Sequence, residues 1–401
     1  MANENISDFY AAFCAEHEIK INPHILQVLE TTTETENTIL KLTGNNRLRC
    51  VQRLDDKDVL ALSECLRNNK NVAGLDVSYN NISDEGVGHL ADLLQQEESS
   101  VLHSLNLMFN NIQTDGAEVL AKSLQCNSTL VFLSLSGNKI ENRGAMHLAS
   151  MLQVNTSLRE LELANCDLEE WAVHFSEMLA VNSSLVELHL GKMGMTDTGM
   201  ERLTEGLRLN HSLRYLDLCC NRVTRDGMHH LAKLLKQNLT LEVIDLSSNR
   251  IEDEGAVYLS EALTWPGCVL RELSVSSNNI RTEGLLSLAH ALTVNTSLNH
   301  IYIWGNHLEE SVCQAFSDLI ASGRLPPEQT DVSAYEVDGQ VFLAEVFHCL
   351  RRHYCSTNSP APETSPTSDT ATDLLAHHTA SPDFTSAPHT ESQQLVPIQS
   401  C

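Results

Sequence analysis

Six carboxylates recur at two equivalent positions of a repeated segment through the middle of this 401-residue chain: Glu160, Glu162, Glu187, Asp217, Asp245 and Glu272. Each sits directly beside the central aliphatic residue of an LxxLxL segment, as Glu160 and Glu162 flank Leu161 in LRELEL. Six acidic groups on one concave surface would focus a negative field, attract a basic partner and speed its encounter. Phe132, Tyr215, Tyr302 and Trp304 stand at or beside equivalent positions, where aromatic side chains serve as anchors for a bound protein. Asp76 and His189 complete the candidate protein-binding set.

Other reactive side chains lack the company that chemistry needs. Cys219 follows the strand residue Leu218 and is expected to face the same surface, but no basic neighbour in the sequence would lower its pKa or that of Cys220. The pairs His229-His230 and His377-His378 have no Cys or carboxylate at ligand spacing, so no metal is expected. GxxxxGK[ST], HExxH and GxSxG are absent, as is a GxGxxG after a strand. The expectation is a protein that is not an enzyme and uses no cofactor. Asn127, Asn155, Asn182, Asn210, Asn238 and Asn295 each open an Asn-x-Ser/Thr triplet just before a strand. Their regular phase favours a polar turn over glycosylation.

Composition narrows the partners. There are 26 Lys plus Arg against 53 Asp plus Glu, a formal net charge of -27, which disfavours direct nucleic-acid or anionic-membrane binding. No stretch reaches the roughly 18 apolar residues of a membrane helix. The 12 Cys form no CxxC pair, and MANENISDFYAAFCAEHE has neither the basic nor the apolar region of a secretory leader, so free thiols in a reducing compartment are expected. A monomer is expected.

The elements that position these residues come from a repeat. VAGLDVSYNNI, LHSLNLMFNNI and LVFLSLSGNKI begin a series that ends at LNHIYIWGNHL, preceded by the diverged NTILKLTGNNRL. Ten anchor positions follow: Asn45, Asn80, Asn110, Asn138, Cys166, Met193, Asn221, Asn249, Asn278 and Asn306. Within one copy, Ile244 and Leu246 alternate with Val243, Asp245 and Ser247, the period of a short strand. Asn249 ends that strand and should pair with turn backbone in a ladder between copies. Ala256, Leu259 and Leu263 then share a helix face, Asp253 lies near the helix start, and Gly255 recurs in phase, which suits close helix-to-strand packing. One strand and one helix cannot bury their apolar faces alone, so the copies must stack. The predicted fold class is an α/β solenoid of about ten repeats, a curved horseshoe with parallel strands on the concave face and helices on the convex face. Nine spacings of about 4.8 Å give a concave sheet of roughly 43 Å.

The boundaries expected are a helical cap over 1–36, the solenoid over 37–320, a C-terminal cap over 321–355 and a disordered Ser/Thr/Pro-rich tail over 356–401. Phe9 and Phe13, four apart, suggest the inward face of a first capping helix, and Asn22-Pro23 begins a second. Val312, Phe316 and Ile320 prolong the last helix to Gly323. Asp338-Gly339 suggests a hairpin turn, while Val341 to Tyr354 would equally suit a helix.

The LxxLxLxxNxI and DxGxxxLxxxL pattern over 37–320 resembles the ribonuclease-inhibitor-like class of leucine-rich repeats. INPHILQVLE, LRNNKNVAGLDVSYNNISDEGV, IYIWGNHLEE and GRLPPEQTDVSAYEVDGQVFLAEV are similar to one branch of that class. The resemblance implies a non-enzymatic scaffold of cytoplasm, nucleus and nucleolus, linked to ribosome biogenesis and to germ-cell and pluripotent stem-cell differentiation. Its implied partners are nucleolar proteins such as nucleophosmin. Other members of the class suggest a GTPase activator, with Arg222 or Arg250 on a rim turn, an inhibitor of a basic enzyme such as a ribonuclease, or a component of ciliary or flagellar assemblies.

Overall fold

Every repeat builds the same unit because one aliphatic residue occupies the centre of a short strand and points away from its two neighbours. The computed structural model describes residues 6–32, 37–45, 51–67, 69–95, 101–166, 171–348 and residue 350. Ten strands form one sheet in chain order: β1 Thr38–Lys41, β2 Val72–Asp76, β3 Ser104–Asn106, β4 Phe132–Ser134, β5 Glu160–Glu162, β6 Glu187–His189, β7 Tyr215–Asp217, β8 Val243–Asp245, β9 Glu272–Ser274 and β10 His300–Tyr302. Each pairs in parallel with the next, so Leu161, Leu188, Leu216, Ile244 and Leu273 lie in one row, all buried.

Two capping helices, α1 Ile6–Glu16 and α2 Pro23–Thr31, precede ten helices that alternate with the strands. These are α3 Asp56–Leu66, α4 Asp84–Leu94, α5 Thr114–Leu124, α6 Glu141–Leu152, α7 Trp171–Leu179, α8 Asp197–Leu207, α9 Arg225–Leu235, α10 Glu252–Leu263, α11 Thr282–Val294 and α12 Glu310–Ala321. A single apolar core runs between sheet and helices from Ile6 to Leu343. Among the described residues no helix is long and apolar enough to cross a membrane.

Polar ladders fix the phase of the stack. Asn110 Nδ2 donates to Val77 O and Leu107 O, both at 3.0 Å, and its Oδ1 accepts from Ile82 N at 3.1 Å. The same pattern serves Asn80, Asn138, Asn221, Asn249, Asn278 and Asn306 and lapses at Cys166, whose thiol donates to Leu135 O. A second ladder uses the six triplet asparagines, all buried. Asn155 Nδ2, for example, caps Leu124 O at the end of α5 while its Oδ1 accepts from Ser157 N and Leu158 N. The turn reading holds, since these amides are spent on backbone that would otherwise be orphaned.

Two expectations change. The recurring Asp does more than favour its own helix dipole: Asp56 Oδ1 accepts from Ser83 N and Gly86 N, tying α3 to the start of α4. Gly86 accordingly answers to the preceding helix more than to the strand, because a Cβ there would lie 2.4 Å from Asp56 Oδ1. In α1 the inward face is Ile6, Tyr10 and Cys14, whereas Phe9 is exposed. Asn22 sets that rotation by accepting from His24 N, donating its backbone N–H to Tyr10 Oη at 3.2 Å and donating Nδ2 to Asp58 at 2.8 Å.

At the other end, Gly323 stops α12 with φ +74°. A hairpin of β11 Val332–Val337 and β12 Gln340–Glu345 follows, turned by Asp338 and Gly339 at φ 51° and 81°. The hairpin thus prevails over the alternative helix, as expected where two successive residues reach positive φ. The open edge of β10 is covered: Asp331 accepts from Ile303 N at 2.8 Å, Trp304 N at 3.0 Å and Ser276 Oγ at 2.8 Å. This protects an edge that would otherwise template pairing. The segment 356–401, with His377-His378, lies outside the described residues.

Candidate functional site

With the central residue of each strand turned into the core, its two neighbours must face the concavity. Strand register sorts them into two rows. One runs Phe132, Glu160, Glu187, Tyr215, Val243, Glu272, His300; the other runs Ser134, Glu162, His189, Asp217, Asp245, Ser274, Tyr302. The six carboxylates therefore occupy five successive strands, β5 to β9. Asp76 on β2 is three strands away from Glu162, about 14 Å, and spends its Oδ1 on Ser78 N and Oγ. It stands outside the acidic group.

The concave row is less open than the sequence suggests. Glu160, Glu162, Glu187, His189, Glu272, Tyr215 and Tyr302 are all buried, and Phe132 is half-buried. Tall side chains spaced one strand apart shield each other, and chain beyond the hairpin adds cover: Leu350 packs with Tyr215, Val243 and Tyr302 in an apolar cluster separate from the main core. The two tyrosines are anchors already in contact. Trp304 packs instead against the main core beside the cap.

His189 organises the charge. Its Nε2 donates to Glu187 Oε1 at 2.9 Å and its Nδ1 to Asp217 Oδ2 at 3.3 Å, with the Tyr215 ring 5.0 Å away. Burial alone would lower its pKa, but the bonds to Asp217 and Glu187, with the charges of Asp217 and Glu162, raise it well above the ordinary histidine value. The ring is an imidazolium with both N–H groups committed. Asp217, despite burial, is held below the usual carboxylate range by that cation and by the Cys219 N–H. Asp245, one strand further from His189, is pushed up to about 6 by burial and then by the charge of Asp217. Its contribution to the field thus varies with pH around 6.

Two sets of ligand-type atoms converge to within 4.8 Å: Glu160, Glu162 and His189, and Asp217, Cys219 and Asp245. In the first set His189 spends both ring nitrogens on Glu187 and Asp217; in the second the Cys219 thiol is raised well above its ordinary value, first by its hydrogen bond to Cys220 and then by burial. Cys220 moves oppositely, down to about 7, because that hydrogen bond favours its thiolate. It is exposed on the turn after β7. Residue order alone offers no sign of this, since the favourable neighbour is another cysteine and no basic residue.

Sequence reasoning also passed over the rim. Arg159, Arg214 and Arg271 precede β5, β7 and β9 in phase. Arg214 Nη1 donates to Glu242 Oε1 at 2.6 Å and Arg271 Nε lies 3.3 Å from Glu242 Oε2, while Arg159 Nη1 caps Ser184 O at 3.0 Å. The signal was an Arg at one position of LREL, LRYL and LREL. On the opposite rim Tyr79 stacks on Phe109 at 4.8 Å, and Phe109 leans over Gly137, where φ is +73° and a Cβ would meet the ring at 2.4 Å. Arg222 and Arg250 are exposed on that same rim. These arginines frame the floor; they do not neutralise it.

Comparison with known proteins accords with this architecture. A Leucine Rich repeat family profile matches residues 68–91, 98–121, 126–149, 154–169, 209–232, 237–260 and 268–289. The chain is 51% identical over 65 residues to human leucine-rich repeat-containing protein 34, which is 16% of this chain and 14% of that protein. It is 55% identical over 60 residues to the mouse protein of the same name, 15% and 14% of the two chains. It is 41% identical over 75 residues to mouse NACHT, LRR and PYD domains-containing protein 4E, 19% and 8%. The matched stretches thus span a small part of each relative. Among solved structures, the yeast Rad7 and Elc1 complex aligns at 14% identity and a TM-score of 0.44, covering 84% of this chain and 86% of that one. The profile leaves out β1 and α3, α7, the unit of β6 and α8 whose anchor is Met193 in place of Asn, and β10 with α12; the matched segments fall on the other strand and helix units. The chain thus carries leucine-rich repeats, and ten parallel strands alternating with helices make it an α/β solenoid.

Proposed function

We propose that this chain is a non-enzymatic interaction scaffold whose concave face binds an extended basic segment of another protein. The observation that carries this reading is the charge count on β5 to β9: six carboxylates and one imidazolium on a continuous floor. Such a floor favours guanidinium groups, whose planar donors pair with carboxylates in two-point fashion and lose less hydration than ammonium. Tyr215 and Tyr302 supply apolar surface beside the charges.

We further infer that the protein works in cytoplasm, nucleus and nucleolus, a reading supported by its partial similarity to leucine-rich repeat-containing protein 34. Its role there is in ribosome biogenesis and in germ-cell and stem-cell differentiation. Nucleolar partners, nucleophosmin among them, would engage the floor through Arg-rich segments. The test is crosslinking mass spectrometry in cells that express the protein, comparing wild type with Glu160→Gln, Glu162→Gln, Glu187→Gln combined. Loss of a nucleolar set from the variant, with its circular dichroism unchanged, supports the reading. An unchanged set moves the binding surface away from the concave floor.

A further inference from the structure

Each repeat turns from the end of its helix into the next strand at one edge of the sheet, and the buried triplet asparagines hold these turns against one another. Ser184 Oγ donates to Asn155 O at 3.3 Å, Asn210 Nδ2 to Asn182 O at 3.0 Å, Asn238 Nδ2 to Leu207 O at 3.2 Å and Asn295 Nδ2 to Leu263 O at 2.7 Å. Beside the asparagine, or at the equivalent place after α10, stand Val154, Val181, Leu209, Leu239, Trp265 and Val294, each 50% to 70% exposed. They mark the ends of six successive helices, α6 to α11.

Single exposed apolar residues are ordinary on a protein surface. A row of them on turns in hydrogen-bond contact is not, because the turn does not require it. The asparagine supplies the cap whatever precedes it, and Asn238 makes its bonds with the polar Gln237 before it. Apolar side chains repeated in phase form a strip of the kind that marks an interaction site.

The charge along this edge differs from that of the chain, whose formal net charge is -27. Lys233 lies in the last turn of α9, Arg208 directly follows α8, and Arg159, Arg214 and Arg271 lead into strands. Glu177 is exposed in the last turn of α7, but the other acids here are matched. Glu205 pairs with Arg202 at 3.3 Å, Glu261 with Lys236 at 3.5 Å, and Glu242 with both Arg214 and Arg271. Lys236 Nζ also stands 5.7 Å over the Trp265 ring. The apolar row is thus bordered by net positive charge.

We propose that this edge docks an acidic amphipathic helix of another protein, laid across the ends of α6 to α11 with one apolar residue in every two turns against the row. Spacing selects a helix. Packed helices stand about 8–10 Å apart, which sets the interval between the turns at their ends, and seven residues of a partner helix rise about 10.5 Å. Same-face residues of an extended segment recur every 6.8 Å or so and fall out of step within one repeat. Carboxylates on the flanks of the partner helix would meet Arg208, Lys233 and Arg271. Because this edge is not the concave floor, the two surfaces can hold partners of opposite charge at the same time.

The experiment uses the full chain and a fluorescently labelled probe helix of about 28 residues, four two-turn units, with Leu at every seventh position and Glu on both flanks. A control helix carries Lys in place of Glu. The variant Val181→Ser, Leu209→Ser, Leu239→Ser changes exposed side chains only, so its circular dichroism should match wild type. The expected result is saturable binding of the Glu helix to wild type, at least about tenfold weaker with the variant and with the Lys helix, and unchanged by Glu160→Gln with Glu187→Gln. Equal binding to wild type and variant, preference for the Lys helix, or no binding of the Glu helix overturns the proposal. So does equal binding of a Glu probe broken by a central Pro, which would put an extended segment on the row. Sedimentation velocity tests the remaining occupant: a wild-type dimer that the triple variant converts to monomer would mean that a second copy covers the row, and a monomer in both supports the helix.

Discussion

His189 bridges Glu187 of its own strand at 2.9 Å and Asp217 of the next at 3.3 Å, so one imidazolium is shared by two carboxylates within a floor that holds four more. Neighbouring charge reaches it from every side: Glu162 on β5, Asp217 and Tyr215 on β7, and Asp245 on β8. Replacing it by leucine removes the cation from beside the buried Glu187 and the half-buried Asp217. His189→Leu should cost about 3 kcal/mol or more at pH 7, read from urea unfolding. A change below about 0.5 kcal/mol would mean that the ring is not the charged partner drawn here.

The same ring gives a pH window. Its folded pKa is raised, so its stabilising contribution is complete below the unfolded value near 6.5 and is lost as pH rises through the higher folded value. Wild type should lose more stability than His189→Leu as pH is raised from 7 toward 9. Parallel stability curves would contradict this.

Asp245 works in the opposite sense. Its carboxyl is raised to about 6, so ionisation costs stability above pH 6, and that cost fades as pH falls from 6 toward the ordinary value of 3.8. Asp245→Asn should stabilise by roughly 1–3 kcal/mol at pH 7.5, with the gain shrinking below pH 6. Binding of a basic peptide should weaken over the same descent in wild type. A gain from Asp245→Asn that does not change with pH would remove the carboxyl from this role.

Cys220 and Cys126 are both exposed, and the Cys220 thiol is drawn down to about 7 by its hydrogen bond to Cys219. At pH 7 its thiolate fraction is about half, against a few per cent for an ordinary cysteine. Iodoacetamide should label Cys220 several-fold faster than Cys126 at pH 7, with the ratio falling by pH 9, and Cys219→Ser should slow it. Equal rates, read by mass spectrometry, would refute the pairing of the two thiols.

The repeat was written plainly in the sequence because each copy's contacts are to the next copy, at a fixed offset of about 28 residues. The Asn80 to Asn306 ladder, the buried triplet asparagines and the Asp338-Gly339 turn all follow from local chemistry. What could not be read depends on neighbours that are distant or that share a surface. Tyr10 displaced Phe9 as the inward residue because Asn22 and Asp58, 12 and 48 positions on, fix the rotation of α1. The floor carboxylates looked solvated because alternation shows which face they take but not how closely side chains on adjacent strands shield each other. Leu350 was invisible as a concave residue, since its partners Tyr215, Val243 and Tyr302 come from three separate repeats and no period announces the contact.

Asn155→Ala tests the turn ladder. The buried amide holds Leu124 O at 2.8 Å and Asn127 O at 3.1 Å and receives Ser157 N and Leu158 N. Its loss should cost about 2–3 kcal/mol, with a lower melting temperature and no change in peptide selectivity. A neutral effect would mean that water replaces the amide fully.

The central claim is that the floor of β5 to β9 is a basic-segment site. The most direct measurement titrates an arginine-rich peptide onto the full chain, with and without Glu160→Gln and Glu187→Gln, at low and high salt. The account predicts binding that weakens steeply with salt and falls at least about tenfold, or 1.4 kcal/mol, when the two glutamates are neutralised. Binding that is indifferent to both glutamates would contradict it.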